Sequence, residues 1–148
     1  MIPSSTRVSR FFDLFARQTS EDDVSGIVSH FADPFLFAGP SGTQPVRVAD
    51  FAAALPKRKA LFASLGSQPT ELISVDEQTL DARYVLARTT WRFSFPGDKN
   101  SIEQFDIDSS FLIDTGSPGS GDAELKIVLY LNHTDLMQSL RDRGVLRN

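Results

Sequence analysis

Few side chains in this sequence could carry out acid–base or nucleophilic chemistry. The chain has two histidines, His30 and His133, and no cysteine, so thiolate catalysis and disulfide bonds are excluded. His133 is the final residue of the last predicted strand, where it either reaches the mouth of a pocket or is a hydrogen-bonded histidine at the sheet edge. Asp33 precedes a proline and is either a general base or a carboxylate that caps a turn. The candidates for a general acid or base are therefore His133 and Asp33.

Two other polar features also have two interpretations each. Ser109 is a small hydroxyl residue among apolar neighbours, so it is either a ligand contact or a hydroxyl bonded to the backbone. The basic run "PKRK" at 56–59 either binds phosphate or lies on a solvated helix face, and "GPSG" at 39–42 lacks the Lys-Ser/Thr of a phosphate loop. The two histidines lie on different predicted elements, so we expect no metal site, and no cofactor is predicted.

The composition is typical of a folded, acidic, single-domain chain. It has 148 residues, of which 41% are hydrophobic, so one domain spanning 1–148 is expected. The net charge of −4 and an isoelectric point near 5.1 argue against nucleic acid and anionic membrane as partners. No run approaches the roughly 20 apolar residues of a membrane span, and the first residues show no signal-peptide core. The expected location is cytoplasmic.

Hydrophobic periodicity predicts helices in the first part of the chain. A first helix over 5–18 has one apolar stripe, and a second should begin at a Ser20 cap and end near residue 30. A strand at 34–38 and a loop at 39–42 should precede a helical segment over 46–66. Pro56 should break or kink that segment to give two helical pieces, and Gly66 should close it.

The pattern then changes to the two-residue alternation of strands. Strands are predicted over 70–76, 81–96, 101–114 and 125–133, followed by a short helix capped by Thr134. Helices first and strands afterwards indicate an α+β fold with an antiparallel sheet.

Alternation assigns the strand residues to two faces of that sheet. The apolar face should include Thr89, Trp91 and Phe93 on the long strand, and Leu129, Leu131 and His133 on the last strand. The opposite, mixed face should carry Leu86, Val128 and Tyr130, with Arg88 and Arg92 near Asp106 and Asp108. An apolar centre with paired charges suits a protein interface, so we expect a homodimer through this face.

The order of elements resembles a known superfamily. Two helices, "FADPFLFAGPSG", a helix with a Phe-rich end, and a long sheet ending in "LYLNHTDLMQSLRDRGVL" are similar to the nuclear transport factor 2-like superfamily. That group includes ketosteroid isomerase and the SnoaL-like polyketide cyclases. The resemblance covers nearly the whole chain. It implies a cystatin-like fold in which helices and a strongly curved antiparallel sheet form a cone around an apolar pocket.

The resemblance makes this cone the expected binding site for a small apolar molecule. The nearly continuous apolar and small residues of "FADPFLFAGPSG" fit a strand that lines a cavity. The expected ligand-binding residues are Phe15, Phe31, Phe35, Phe37, Phe62, Trp91, Phe93, Ile107, Ser109 and Leu131.

The catalytic residues of the related enzymes do not carry over to this sequence. Gly39 stands where ketosteroid isomerase has its carboxylate base, and the oxyanion tyrosine would fall near Phe12 or Phe15. The acid that donates to the oxyanion would fall close to Ser109. The Arg-x-Asp of the limonene epoxide hydrolases is replaced by "FDID", and the dehydratases of this fold need paired histidines. We therefore expect no useful ketosteroid isomerase activity.

Three functions remain open at this point. The first is a small-molecule-binding domain without the known catalytic sets. The second is a SnoaL-like isomerase, cyclase or dehydratase that acts on an apolar ring substrate through His133 or Asp33. The third is an interaction module that dimerises or docks through the mixed sheet face. An open cavity with only Ser or Thr as polar groups would favour the first function.

Overall fold

The computed structural model describes residues 7–97, 101–116 and 125–145 of the chain. In these ranges no helix is both long and apolar enough to cross a bilayer. The elements, in chain order, are α1 (Arg7–Ser20), α2 (Val24–Val28), β1 (Phe31–Gly39), β2 (Gly42–Val46), α3 (Val48–Ser64), β3 (Glu71–Thr79), β4 (Tyr84–Pro96), β5 (Ile102–Asp114), β6 (Lys126–Asn132) and α4 (Leu136–Asp142).

The strands form one six-stranded sheet in the order β2-β1-β6-β5-β4-β3. Neighbouring strands are antiparallel except β1 and β6, which run parallel. The predicted α+β class, with helices packed on a sheet, is therefore confirmed, but the sheet is mixed. Because most of the chain separates β1 from β6, no hairpin fixes their relative direction.

The apolar stripe of α1 covers the inner face of the sheet. Its buried residues all belong to the predicted stripe and are Val8, Phe11, Phe12 and Phe15. The rings of Phe12 and Phe15 lie 5.3 and 5.8 Å from the ring of Phe111 on β5, and Phe15 lies 6.0 Å from Trp91 on β4. Aromatic contacts thus join α1 to β4 and β5.

The predicted charge pairs lie on the opposite, outer face of the sheet. Arg92 Nε is 2.9 Å from Asp106 Oδ1, and Arg88 donates to Asp108 Oδ2 at 2.9 Å. The hydrogen bond from Arg92 lowers the pKa of Asp106, and that from Arg88 lowers the pKa of Asp108. These exposed pairs connect β4 to β5 across the outer face, directly for Arg92 and Asp106 and diagonally for Arg88 and Asp108.

An extra residue in β6 changes which side chains face inward on that strand. Ile113 pairs with Ile127, but the next residue of β5, Leu112, pairs with Leu129, so Val128 has no partner. Such a bulge shifts the alternation by one position. The prediction that Leu129, Leu131 and His133 share the inner face with Ile127 is therefore wrong.

After the bulge, Tyr130 and Asn132 face inward instead. The Tyr130 ring stacks on Phe111 at 4.8 Å, and Asn132 pairs with Ser109. Leu131 pairs with Ser110 on the outer face.

Two helix caps differ from the predicted ones. The Ser20 hydroxyl donates to the Arg17 carbonyl at 2.9 Å, so Ser20 ends α1, while Asp23 caps α2 by accepting from the Gly26 N–H at 3.1 Å. The helix α4 is capped by Asp135 rather than Thr134. In both cases a longer-reaching carboxylate within a few residues replaces the predicted hydroxyl.

One prediction around α3 is wrong and another is incomplete. The helix continues through Pro56, which is exposed, so water can solvate the carbonyl that loses its partner there. The predicted loop at 39–42 is present as a two-residue hairpin turn, but Gly39 pairs with Gly42 and the chain returns as β2, a strand that was not predicted. This hairpin adds an edge strand beside β1.

His30, which directly precedes β1, contacts the side chains of α1. Its ring lies 4.8 Å from the Phe11 ring, and its Nε2 donates to Gln18 Oε1 at 2.6 Å. Burial, with a smaller effect of the nearby Lys126 ammonium, lowers the pKa of His30. The folded protein therefore favours the neutral imidazole.

Gly66 closes α3, as the sequence predicts. It adopts φ +75°, and the Ser67 N–H reaches back to the Phe62 carbonyl at 3.0 Å. A Cβ at this position would lie 2.9 Å from Cγ of Pro96. Both the backbone angle and the packing therefore demand glycine here.

Replacing Gly66 by alanine should lower the free energy of unfolding by about 1–3 kcal/mol, because the left-handed angle and the Pro96 contact both oppose a side chain. The matched control is Gly144→Ala, since Gly144 has the same φ of +75° but no atom within 4 Å of the added Cβ. Urea denaturation should show a larger loss for Gly66→Ala. Equal losses in the two variants would contradict the Pro96 contact.

The free energy of unfolding should fall as the pH drops from about 7 to about 5. The folded pKa of His30 lies below the ordinary value of 6.5, so the unfolded chain binds more protons in this window and is favoured by acid. Urea denaturation across the window should show this slope in the native protein and in His133→Gln, and a flatter slope in His30→Gln. An unchanged slope in His30→Gln would show that another group is responsible.

Candidate functional site

An inner cavity of about 80 Å³ lies between the helices and the inner face of the sheet. It is lined mainly by aromatic and aliphatic side chains from α1, α3 and strands β4 to β6. The lining residues are Phe15, Thr19, Ile27, Phe31, Phe51, Leu55, Arg58, Thr70, Trp91, Phe93, Ile107, Ser109, Phe111, Tyr130, Asn132 and Leu136. This combination of apolar walls and a few polar groups is typical of small-molecule sites.

A chain of hydrogen bonds crosses the floor of the cavity. The Trp91 indole N–H donates to Thr89 Oγ1 at 2.7 Å, and the Thr89 hydroxyl donates to the Ser109 carbonyl at 2.9 Å. The Ser109 hydroxyl in turn donates to Asn132 Oδ1 at 2.7 Å. The buried polar groups on β4, β5 and β6 therefore satisfy one another.

Two hydrogen-bond donors of residues that line the cavity have no partner in the described part of the chain. Because Asn132 uses its oxygen for Ser109, its amide nitrogen has no partner among the residues described, and neither does the Tyr130 hydroxyl. Both side chains line the cavity, and no fully buried side-chain nitrogen or oxygen among the described residues lacks a hydrogen bond. These two unpaired atoms are therefore accessible. A bound oxygen atom could accept from either.

Six of the ten expected ligand-binding residues line this cavity. They are Phe15, Phe31, Trp91, Phe93, Ile107 and Ser109. Their inward direction follows from the stripe of α1, from the start of β1 and from the alternation on β4 and β5, which the structure keeps over their paired length.

The other four expected residues lie elsewhere. Phe35 and Phe37 form a second layer behind the wall: Phe35 packs on Phe31 at 4.6 Å, and Phe37 packs on Tyr130 at 5.4 Å. Phe62 lines a neighbouring cavity, and Leu131 is turned to the outer face by the bulge in β6.

Sequence reasoning missed Tyr130 and Asn132 because it extended one alternation along all of β6. The available signal was the run Ile127-Val128-Leu129, since three consecutive apolar residues interrupt a strict two-residue pattern. Phe51 and Arg58 on α3 were also missed. The expected break at Pro56 hid the continuous helical face to which they belong.

The candidate acid–base residues lie outside the inner cavity. His133 is exposed on the outer side of the sheet, with Nε2 2.8 Å from the Ser110 hydroxyl. Asp33 caps α3, accepting from the Val48 N–H at 3.1 Å and pairing with Arg47 Nε at 3.0 Å. Of the two interpretations of Asp33, these contacts match the carboxylate that caps a turn rather than the general base.

The lining of the inner cavity includes no carboxylate and no imidazole within the described ranges. Its ionisable groups are the Tyr130 phenol and the Arg58 guanidinium. No cluster of three His, Cys, Asp or Glu side chains that could hold a metal ion is found in those same ranges.

A second cavity, of about 210 Å³, adjoins the first, and we call it the vestibule. Exposed residues such as Asp22 and Lys59 line it, so it faces solvent. Arg58 lines both cavities, and its guanidinium carbon lies 5.0 Å from the centre of the Phe62 ring. The path from the vestibule to the inner cavity therefore passes Arg58.

No protein-family model and no curated protein matches this chain by sequence.

Comparison by structure finds many similar folds. Aln2 from a Streptomyces species superposes with a TM-score of 0.68 at 14% identity, covering 97% of this chain and 100% of that one. A nuclear transport factor 2-like protein with a cystatin-like fold from Novosphingobium aromaticivorans gives 0.66 at 15% identity, covering 96% and 88%. The beta subunit of the benzoate 1,2-dioxygenase from Burkholderia mallei gives 0.64 at 15% identity, covering 93% and 95%. The fold implied by the sequence resemblance is thus confirmed: this chain has the nuclear transport factor 2-like, cystatin-like fold.

Proposed function

We propose that the protein binds a small ring compound in the inner cavity, with the ring against the aromatic walls and an oxygen substituent at Asn132. The observation that carries this proposal is the accessible amide nitrogen of Asn132, fixed by the hydrogen bond between Asn132 Oδ1 and Ser109. A carbonyl or hydroxyl oxygen would accept from that amide and from the Tyr130 hydroxyl beside it. The apolar walls would supply most of the affinity.

The size of the cavity limits how such a compound enters. About 80 Å³ is less than the roughly 150 Å³ of an engineered apolar cavity that holds benzene. Leu55 and Arg58 separate the inner cavity from the vestibule and are only partly buried, so their movement would join the two spaces. A ring with a short substituent would then occupy both.

The lining favours binding over acid–base catalysis. General acid–base catalysis needs a titratable group within hydrogen-bond reach of the reacting proton. His133 and Asp33, the two candidates, lie on the outer face and at the start of α3. Neither is placed to act on a molecule in the inner cavity.

One observation favours an enzyme as the second candidate function. The Tyr130 hydroxyl and the Asn132 amide are two neighbouring donors on β6 that could stabilise negative charge developing on a substrate oxygen. An isomerase or cyclase acting on a ring substrate would use them in that way. Recovery of the bound compound unchanged after long incubation would decide for binding alone.

The tryptophan Trp91 should report the binding of a neutral ring ketone. Its side chain is 7% exposed and lines the cavity, so its emission should be blue-shifted relative to free tryptophan. Adding 4-propylcyclohexanone should change that emission saturably, with a dissociation constant between about 10 µM and 1 mM, because little apolar area is buried. Quenching that is linear and equal to that of free tryptophan would contradict the proposal.

Two neighbouring serines provide matched variants for this titration. Ser109→Leu should fill the cavity and abolish the response, whereas Ser110→Leu places the same side chain on the outer face and should leave it intact. Asn132→Leu should weaken the binding of the ketone several-fold more than that of propylcyclohexane, which has no oxygen. Loss of the response in Ser110→Leu as well would show that the effect is not specific to the cavity.

We also propose that the protein forms a homodimer through the outer face of the sheet. Tyr130 does not belong to this face, but Leu131 does, together with Leu36, Leu86, Leu112 and Leu129. Leu36 is 45% exposed, which leaves an apolar side chain in water without a partner. One structural neighbour is itself a subunit of a larger enzyme, which is in keeping with an interface on this fold.

Light scattering at tens of micromolar should give the mass of a dimer. Leu112→Asp introduces a charge at the centre of the face and should give a folded monomer, while Leu14→Asp, on the exposed side of α1, should leave the dimer intact. A monomeric native protein would refute this interface.

A further inference from the structure

The boundary between the inner cavity and the vestibule is rich in hydrogen-bond donors. Five residues line both spaces: Thr19, Ile27, Leu55, Arg58 and Thr70. The three polar ones come from separate parts of the chain, since Thr19 lies on α1, Arg58 on α3 and Thr70 just before β3. The fold therefore brings two hydroxyls and a guanidinium together where the two cavities meet.

Arg58 has no carboxylate partner in the part of the chain that the structure describes. Arg47, Arg83, Arg88 and Arg92 each pair with an aspartate within 3.0 Å, whereas the Arg58 guanidinium only covers the Phe62 ring. A guanidinium has five donors and accepts nothing, and its planar edge fits a carboxylate with two parallel hydrogen bonds. These donors are available to a ligand that passes or occupies the boundary.

The surrounding charges indicate an anion with a single negative charge. The lining of the inner cavity contains no carboxylate among the described residues, so Arg58 is not neutralised from that side. The vestibule adds one acidic residue, Asp22, and one basic residue, Lys59, which offset each other. One uncompensated positive charge remains at the boundary.

We propose that the natural ligand is a ring compound that carries a carboxylate on a short arm. The ring occupies the inner cavity, with its oxygen substituent at Asn132, and the carboxylate pairs with Arg58 at the boundary. The Thr19 and Thr70 hydroxyls donate to the remaining carboxylate lone pairs. This inference rests on the proposed function, because it adds a second anchor to the same ligand.

The test compares two probes that differ only in charge. They are 3-(4-oxocyclohexyl)propanoate and its neutral amide, each titrated by calorimetry and by Trp91 emission. The carboxylate should bind about tenfold more tightly than the amide, since a hydrogen-bonded charge pair adds to the contacts that both share. This preference should shrink as salt is added.

Substitutions in α3 test whether Arg58 is responsible for the tighter binding of the carboxylate. Arg58→Gln should bring the ratio of carboxylate to amide affinity close to one, whatever its effect on the affinity for the amide, and Arg58→Lys should retain part of the preference. The matched control is Lys57→Gln, which removes the adjacent exposed charge and should leave the preference unchanged, because Lys57 lines neither cavity. The Trp91 emission maximum of each variant checks that the fold is intact.

The outcomes separate this inference from the function on which it rests. Equal binding of both probes to the native protein would overturn the carboxylate anchor and leave the ring site standing. A preference that persists in Arg58→Gln would overturn the role of Arg58. If neither probe nor 4-propylcyclohexanone binds, the proposed function itself is refuted.

Discussion

The unpaired Val128 in β6 determines which side chains of the last strand reach the cavity. Without it, Leu129, Leu131 and His133 would continue the inner face that Ile127 begins, and the cavity would be apolar with an imidazole at its end. With it, Tyr130 stacks on Phe111 and Asn132 meets Ser109. The polar character of the site and the outward position of His133 therefore have one physical origin.

The hydrogen-bond chain beneath the cavity orients the side-chain amide of Asn132. Trp91, Thr89 and Ser109 each use their donor on the next member, and the last acceptor is the Asn132 oxygen. The amide nitrogen is consequently left without a partner among the described residues, on a side chain that lines the cavity. The ligand that we propose for this site would therefore have to accept hydrogen bonds, both from Asn132 and from Arg58 at the entrance.

Much of the fold could be predicted from local patterns, because those patterns reflect local physics. The stripe of α1, the closure of α3 by Gly66, and the alternation of β4 against β5 depend on periodicity and on neighbours within one hairpin. The charge pair of Arg92 with Asp106 followed from the same alternation. For the same reason, six of the expected ligand-binding residues line the inner cavity.

The remaining features depend on non-local packing: the bulge in β6 is fixed by how that strand fits between β5 and β1, and the continuity of α3 through Pro56 depends on which side of the helix meets water. Each of these changed the assignment of site residues, replacing Leu131 by Tyr130 and Asn132 and adding Arg58.

The most direct test of this account is the nuclear magnetic resonance signal of the Asn132 side-chain amide, assigned by its loss in Asn132→Asp. The account predicts that this amide contacts the oxygen of a ligand in the inner cavity. Its proton and nitrogen shifts should therefore move saturably on titration with 4-propylcyclohexanone, with little change on titration with propylcyclohexane. An Asn132 amide that is unaffected by the ketone, while the Leu131 methyl groups shift, would show that β6 presents its other face to the cavity and would contradict the account.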